Sequence, residues 1–297
     1  MRVVLTGGSG FLGRPCLELL LQGGHEVLAI SRGIPGEPAP GGLHWHSADL
    51  NLPSSYAAAL EEFQPQAALH LAWEGIPDYS LANSLRNLQT GSMFTEALLK
   101  VGCKHVVASG SCWEYGKLSG ALSENMEPAA PGVFGASKTA QRILLRSLTQ
   151  AAGATLAWAR VFYPFGPRQK AKSLVPTICQ SILSGHSPDI KTPWAANDFL
   201  YLDDTADALV FLIEKGADGV FNVGSGATTA VGKIADMLLQ LAGREPHFST
   251  LGESTSGTSG FFADIAAMNA IGWRVKTSLE EGLRRTFVEY TERPTTC

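Results

Sequence analysis

The sequence predicts an α/β fold, a doubly wound parallel sheet followed by a smaller C-terminal lobe. Three observations carry that prediction. Short β-rich runs alternate with longer helix-like runs through the first half of the chain, the pattern of a parallel sheet covered by helices on both faces. A glycine-rich turn follows the first β-rich run at once and opens the first helix. The length of 297 residues suits two domains of roughly 150 residues, or one α/β unit with an appended lobe.

The strand-like runs are residues 3–5, 26–31, 44–46, 67–71, 105–109 and 155–161. Helix-like runs at 11–22, 50–63, 81–101 and 137–152 separate them. Beyond Tyr163 the alternation loosens into a helix at 174–184, a Pro-bearing loop through Trp194, a strand-like FLYL at 199–202 and a helix starting DDTADALVFLIEKG. A short strand at 220–223, helices at 231–242 and 278–290, and a Ser/Gly/Thr-rich stretch at 249–260 complete the chain. These patterns assign 1–163 with about 199–223 to a dinucleotide-binding domain, and 164–198 with 224–297 to a substrate-binding lobe.

Composition narrows the function. Hydrophobic residues make up 45% and charged residues 17%, and mean hydropathy is +0.06, so most of the chain is expected to fold. Lys and Arg number 23 against 27 Asp and Glu, a net charge of −4 with no basic block, which removes the footprint of a nucleic-acid or polybasic membrane role. The apolar runs are far shorter than the ~20 residues that span a bilayer, and no secretory signal is visible, so a soluble, cytoplasmic protein is expected. Five scattered cysteines without C-x-x-C agree with a reducing compartment. His44 and His46 flank Trp45 with no third ligand near, so no metal site is expected.

The turn TGGSGFLG spaces Gly7, Gly10 and Gly13 for a Rossmann-type dinucleotide site. Gly7 permits the tight turn, Gly10 lets backbone approach a pyrophosphate, and Gly13 lets helix and strand pack closely, with Ser9 between them. The second strand ends in Ile30-Ser31-Arg32, where a guanidinium replaces the acidic residue that takes an NAD ribose hydroxyl. NADP(H) is therefore favoured, with NAD(H) possible. Asp49, followed by Leu50, is either an acceptor for the adenine amino group or an ordinary N-cap.

TGGSGFLG, LHLAW, GSCWEYG at 110–116, VFGASK at 133–138, FLYLDD and FNVGSG together resemble an extended short-chain dehydrogenase/reductase of the NAD(P)-dependent epimerase/dehydratase group, which acts on nucleotide sugars. The resemblance implies that Ser111, four residues before Tyr115, is the catalytic serine, and that the Y-x-x-x-K pair falls on Phe134 and Lys138. It further implies that Phe11, Leu12, Leu71, Ala72, Trp73, Asn87, Lys138 and Phe162 line the cofactor, and that Trp73, Ser111, Cys112, Trp113 and Tyr163 face the substrate. Many relatives pair through two long helices, here near 81–101 and 137–152, so a homodimer is expected.

Phe134 departs from the family, whose general acid is tyrosine; phenylalanine keeps the ring and lacks the oxygen, a change worth ~10²–10⁴-fold if nothing replaces it. It is a substitution introduced to stall the reaction, a natural change in a binding protein, or the sign that another residue supplies the proton. Tyr115, Glu114, Cys112 and Tyr163 are nearby candidates. The Asp-Glu pair that dehydratases of the family use for removing water is Cys112-Trp113 here, which disfavours dehydration. Reduction of a 4-keto (deoxy)sugar nucleotide stands first, ahead of epimerisation with held NAD(P) and of non-catalytic cofactor binding. Asn197-Asp198 replaces the family's Arg-Asp and SGFFAD lacks an arginine, leaving Arg168, Lys170 and Lys172 as alternative cations; a substrate without a diphosphate stays open.

Overall fold

The computed structural model describes residues 1–34, 40–248 and 260–292. Along the chain run β1 (Arg2–Thr6), α1 (Gly13–Gln22), β2 (Glu26–Ser31), β3 (Leu43–Ser47), α2 (Ala57–Phe63), β4 (Ala67–His70), α3 (Leu81–Lys100) and β5 (His105–Ser111). There follow β6 (Gly120–Leu122), α4 (Val133–Ala151), β7 (Thr155–Val161), β8 (Tyr163–Phe165), α5 (Leu174–Leu183), β9 (Ala196–Asn197), β10 (Phe199–Tyr201) and α6 (Leu202–Lys215). The last elements are β11 (Gly219–Val223), β12 (Thr229–Ala230), α7 (Val231–Leu241), β13 (Phe261–Ala263), α8 (Ala266–Ala270) and α9 (Leu279–Glu292).

The central sheet has seven strands in the order β11-β7-β5-β4-β1-β2-β3, and the pairings from β7 to β3 are parallel. β1 lies between β2 and β4, with Thr6 opposite Ile30 on one side and His70 on the other. The winding reverses at its carboxyl end, which is where ligands of open α/β sheets bind. Val4, Ile30, Ala68, Val106 and Trp158 from the strands pack with Phe94 and Leu98 of α3 and Leu145 of α4 in one buried core. Near-continuous apolar strands are what burial on both faces demands.

The chain clusters into two units, the first comprising residues 1–117, 126–161 and 206–221, the second 118–125, 162–205 and 222–297. Residues 199–205, grouped with the first domain by sequence, cluster with the second because β10 pairs with β8 in a small sheet of their own. β6 joins the second unit through its partner β13. The core of this unit gathers Phe165, Ile178, Phe199, Tyr201, Ile234, Leu238, Leu283 and Phe287.

Two helices differ from their sequence patterns. The run 50–63 yields only α2, because the Asp49 carboxylate closes a turn on Asn51 and Pro53 starts a separate 3₁₀ turn. Conversely, α4 starts at Val133, four residues before the expected point, so Phe134 lies in its first turn. The 249–259 part of the Ser/Gly/Thr-rich stretch, and Cys297, fall outside the described residues. Cys16, Cys103, Cys112 and Cys179 are buried thiols. Among the described residues, no helix is long and apolar enough to cross a membrane.

Candidate active site

The glycine turn is built as its spacing requires. Gly7 has φ of +75°, and the Gly10 amide donates to its carbonyl at 2.9 Å. A Cβ on Gly13 would lie 1.9 Å from the Gly7 oxygen, so α1 approaches the turn as only glycine allows. Gly10 is different: it is exposed, and a Cβ there would meet only the Gly7 oxygen at 3.1 Å. The one close contact is with the turn's own carbonyl, and a glycine there leaves the backbone open to an approaching phosphate. No side chain caps α1, where the Arg14 amide donates to the Gly10 carbonyl at 3.1 Å and Pro15 carries no N–H, so it is the turn ahead of the helix that offers backbone to an anion. These features fit the pyrophosphate of a dinucleotide. Phe11 and Leu12 are half-buried at the helix start, and Ser9 Oγ lies 3.4 Å from Ser31 Oγ at the end of β2.

Arg32 is exposed and its Nη1 forms an ion pair with Glu74 Oε1. Asp49 Oδ1 accepts from the Asn51 amide at 2.9 Å and from its Nδ2 at 2.8 Å, bonds that hold its carboxyl below the usual range and make it the head of a turn. Leu50 packs partly against the sheet core. Leu71, Ala72 and Trp73 leave β4 beside the glycine turn, with the Ala72 amide donating to Thr6 Oγ1 at 3.3 Å. Thr6 Oγ1 also meets His70 Nδ1 at 2.7 Å, and burial pushes the His70 imidazole down to about 3, so it stays neutral. The buried Asn87 amide tethers the next loop, accepting from the Glu74 amide at 2.6 Å and donating to its carbonyl at 3.1 Å.

Ser111 ends β5. Its Oγ accepts from the Trp113 amide at 3.2 Å, which leaves the hydroxyl proton to be donated outward. The fully buried Glu114 fixes its backbone, with one carboxylate oxygen accepting from the Ser111 amide at 2.9 Å and Trp158 Nε1 at 2.9 Å, and the other from Arg160 Nε at 3.1 Å. Lys138 in α4 is buried, donates from Nζ to the Ser109 carbonyl at 2.8 Å, and stands 3.9 Å above the Trp73 ring. Burial pushes its ammonium down to about 7, against the field of Glu114.

Phe134, expected from the resemblance to stand where the family has its tyrosine, has its ring met by three others. Trp73 approaches edge-on at 5.2 Å between centroids, Trp113 edge-on at 5.7 Å, and Tyr79 tilted at 4.9 Å. The glycine turn, residues 71–73, Ser111, Phe134 and Lys138 thus share the first unit. Phe162 and Tyr163 belong to the second, where the Phe162 amide donates to the Val223 carbonyl and the Tyr163 amide to the Asp198 carbonyl. Cys112 and Tyr115 are buried, with the Arg160 guanidinium 4.5 Å above the Tyr115 ring.

In the second unit Asp198, of the Asn197-Asp198 pair, is fully buried and accepts from the amides of Ser225, Gly226 and Ala263. Arg168 Nε lies 3.5 Å from Glu289 Oε1. Asp204 caps another segment rather than its own helix, accepting from the amides of Lys276 and Thr277. Sequence reasoning missed Tyr79, Trp158 and Arg160. The last two lie on β7, 44 and 46 residues from the carboxylate they serve. Only their alternation on a strand paired with β5 signals that both face Glu114.

The model of the NAD dependent epimerase/dehydratase family matches residues 3–224. A UDP-glucose 4-epimerase of Bacillus subtilis (strain 168) is 26% identical over 325 residues, covering 95% of this chain and 94% of its own. A dTDP-4-dehydro-6-deoxyglucose reductase of Escherichia coli is 23% identical over 301 residues, covering 95% of each. Among solved structures, MoeE5 in complex with UDP-glucuronic acid and NAD superposes with a TM-score of 0.84 at 25% identity, over 99% of this chain and 100% of its own. With a glycine turn built for a dinucleotide and a family match running from the first strand into β11, the chain belongs to the NAD-dependent epimerase/dehydratase family.

Proposed function

We propose that this chain is an NAD(P)-dependent oxidoreductase that reduces the 4-keto group of a (deoxy)sugar nucleotide. The observation that carries the reading is Ser111, whose hydroxyl proton is left free to donate, in one unit with Lys138 and the glycine turn. Cys112 and Trp113 supply no carboxyl group where dehydratases of the family carry two, which favours reduction over removal of water. Similarity to the Escherichia coli reductase supports the same substrate class.

The dinucleotide, when bound, supplies the hydride. The chain's part is to hold and polarise. Ser111 donates to the substrate oxygen, and the Glu114 carboxylate keeps the serine backbone in place. Lys138, fixed by the Ser109 carbonyl, holds the ribose and puts positive charge beside the reacting oxygen. Phe134 contributes ring surface and no proton. Phe162 and Tyr163 are proposed as further lining residues.

NADP(H) is the proposed cofactor because the Arg32 fork suits a 2′-phosphate. NAD(H) is the second reading, favoured by Glu74, whose carboxylate already occupies Arg32. Similarity to the Bacillus subtilis epimerase favours epimerisation as the second activity. We further propose a homodimer through α3 and α4, which leave Leu85 and Ile143 exposed.

The test is incubation with NADPH or NADH and UDP- or dTDP-linked 4-keto-6-deoxy sugars. Stoichiometric loss of the dihydronicotinamide absorbance with formation of the alcohol is the expected result. Interconversion of isomers with no absorbance change replaces the reductase by the epimerase.

A further inference from the structure

A phenol stands beside the position where the family phenol is missing. Tyr79 lies on the segment between β4 and α3, which two buried asparagines of α3 hold at several points. Asn83 Nδ2 donates to the carbonyls of Glu74 at 2.9 Å and Asp78 at 2.8 Å, Asn87 grips Glu74 from both sides, and Ser80 caps α3. The segment thereby lays the Tyr79 ring 4.9 Å from Phe134 and 4.9 Å from Trp113. The ring is half-buried, and among the described residues nothing hydrogen-bonds to its hydroxyl.

The other hydroxyls, thiols and carboxyls near Ser111 are committed or enclosed. Glu114 is spent on Ser111, Trp158 and Arg160, while Tyr115 and Cys112 are buried. Lys138, with one N–H given to Ser109, and the half-buried Tyr163 of the second unit are the remaining competitors.

We propose that the Tyr79 hydroxyl supplies the proton for which position 134 has no oxygen, making Tyr79 a catalytic residue of the reduction; this rests on the reading above. As hydride from the reduced dinucleotide forms the new C–H bond, the carbonyl π pair moves onto oxygen. The Tyr79 O–H bond breaks, its proton completes the alcohol, and the phenolate takes a proton from the solvent that reaches the half-exposed ring. The dinucleotide is oxidised and the ketone reduced, with no further reactant. Burial raises the Tyr79 phenol above its ordinary value, which keeps it protonated, and so able to donate, throughout the neutral range.

The experiment compares wild type, Y79F, F134Y and Y79F/F134Y, measuring kcat, KM and dinucleotide affinity across pH. Nitration of Tyr79 by tetranitromethane, mapped by mass spectrometry with and without dinucleotide plus UDP, adds a readout independent of turnover. Y79F is expected to lower kcat by roughly 10²–10⁴-fold, with dinucleotide affinity and KM unchanged, and to abolish the alkaline limb of the kcat profile. F134Y is expected to restore turnover to Y79F, and ligands to shield Tyr79 from nitration.

Full activity in Y79F overturns the proposal, as does an alkaline limb near pH 7 that survives in Y79F and so belongs to Lys138. An inactive wild type made active by F134Y also overturns it, because the missing hydroxyl was then never replaced. Failure of both wild type and F134Y on every ketosugar removes the reductase reading instead. Nitration then decides separately: an unshielded Tyr79 ends the proposal, and a shielded one keeps the phenol at the ligand.

Discussion

Ser111 and Glu114 show how one residue's chemistry depends on another's burial. The S111A variant is expected to lose roughly 10²-fold in kcat, the usual effect of deleting one donor to a developing oxyanion, with dinucleotide affinity unchanged. Glu114 is fully buried against a nearly buried Arg160, so E114Q leaves the guanidinium without its counter-ion. Breaking such a pair costs about 3–5 kcal/mol, and a urea titration with native circular dichroism as the signal measures it. Ser111 and Lys138 were singled out through the family resemblance, by their places four residues from Tyr115 and Phe134. Tyr79 was not, because its place is set by Asn83 and Asn87 holding a loop, and amide bonds to loop carbonyls leave no periodicity in sequence.

At the level of the element, the strand–turn–helix β1-α1 separates two kinds of glycine. G13A puts a carbon against the Gly7 oxygen and is expected to destabilise the whole unit, seen as a fall in Tm. G10A meets only the Gly7 oxygen, at 3.1 Å, so its Tm should fall far less than that of G13A while dinucleotide affinity falls by roughly tenfold or more, the loss expected when a charge-assisted bond of about 1.5–3 kcal/mol is lengthened. The proposed cofactor preference is tested at the segments that follow β2 and β4. E74Q removes the carboxylate that pairs with Arg32, so the NADPH-to-NADH affinity ratio should rise, while R32A should lower it; isothermal titration reads both. The parallel strands were readable as apolar runs between helical ones. Helix ends were less so: Pro53 and the Asp49 turn cut α2 short, and the glycines beside Phe134 disguised the first turn of α4.

For the whole molecule, buried bases set the response to pH. His70 is held near 3 when folded, against an ordinary value of 6.5, so the unfolded chain binds the proton first. Stability from this group is complete above pH 6.5 and is lost as pH falls toward 3, by up to about 1.4 kcal/mol per pH unit. Lys138 acts in the same direction higher up: its value of about 7 against 10.5 means that stability increases as pH rises between them. Tm should therefore climb from pH 4 to pH 8, and H70Q should flatten the acid part of that curve. Leu85→Lys with Ile143→Lys should convert a dimer to a monomer in sedimentation, if α3 and α4 pair as proposed. Two units were expected from sequence, yet β10 was grouped by its neighbours in the chain, whereas its bonds go to β8.

Three of the six tryptophans stand around Lys138: Trp73 beneath its ammonium, Trp158 at 5.9 Å, and Trp113 across Phe134. Half of the molecule's ultraviolet antenna is thus concentrated in one spot. A dihydronicotinamide docking there would absorb the indole glow and re-emit it at longer wavelength, so this polypeptide carries an unlabelled optical gauge of its own occupancy.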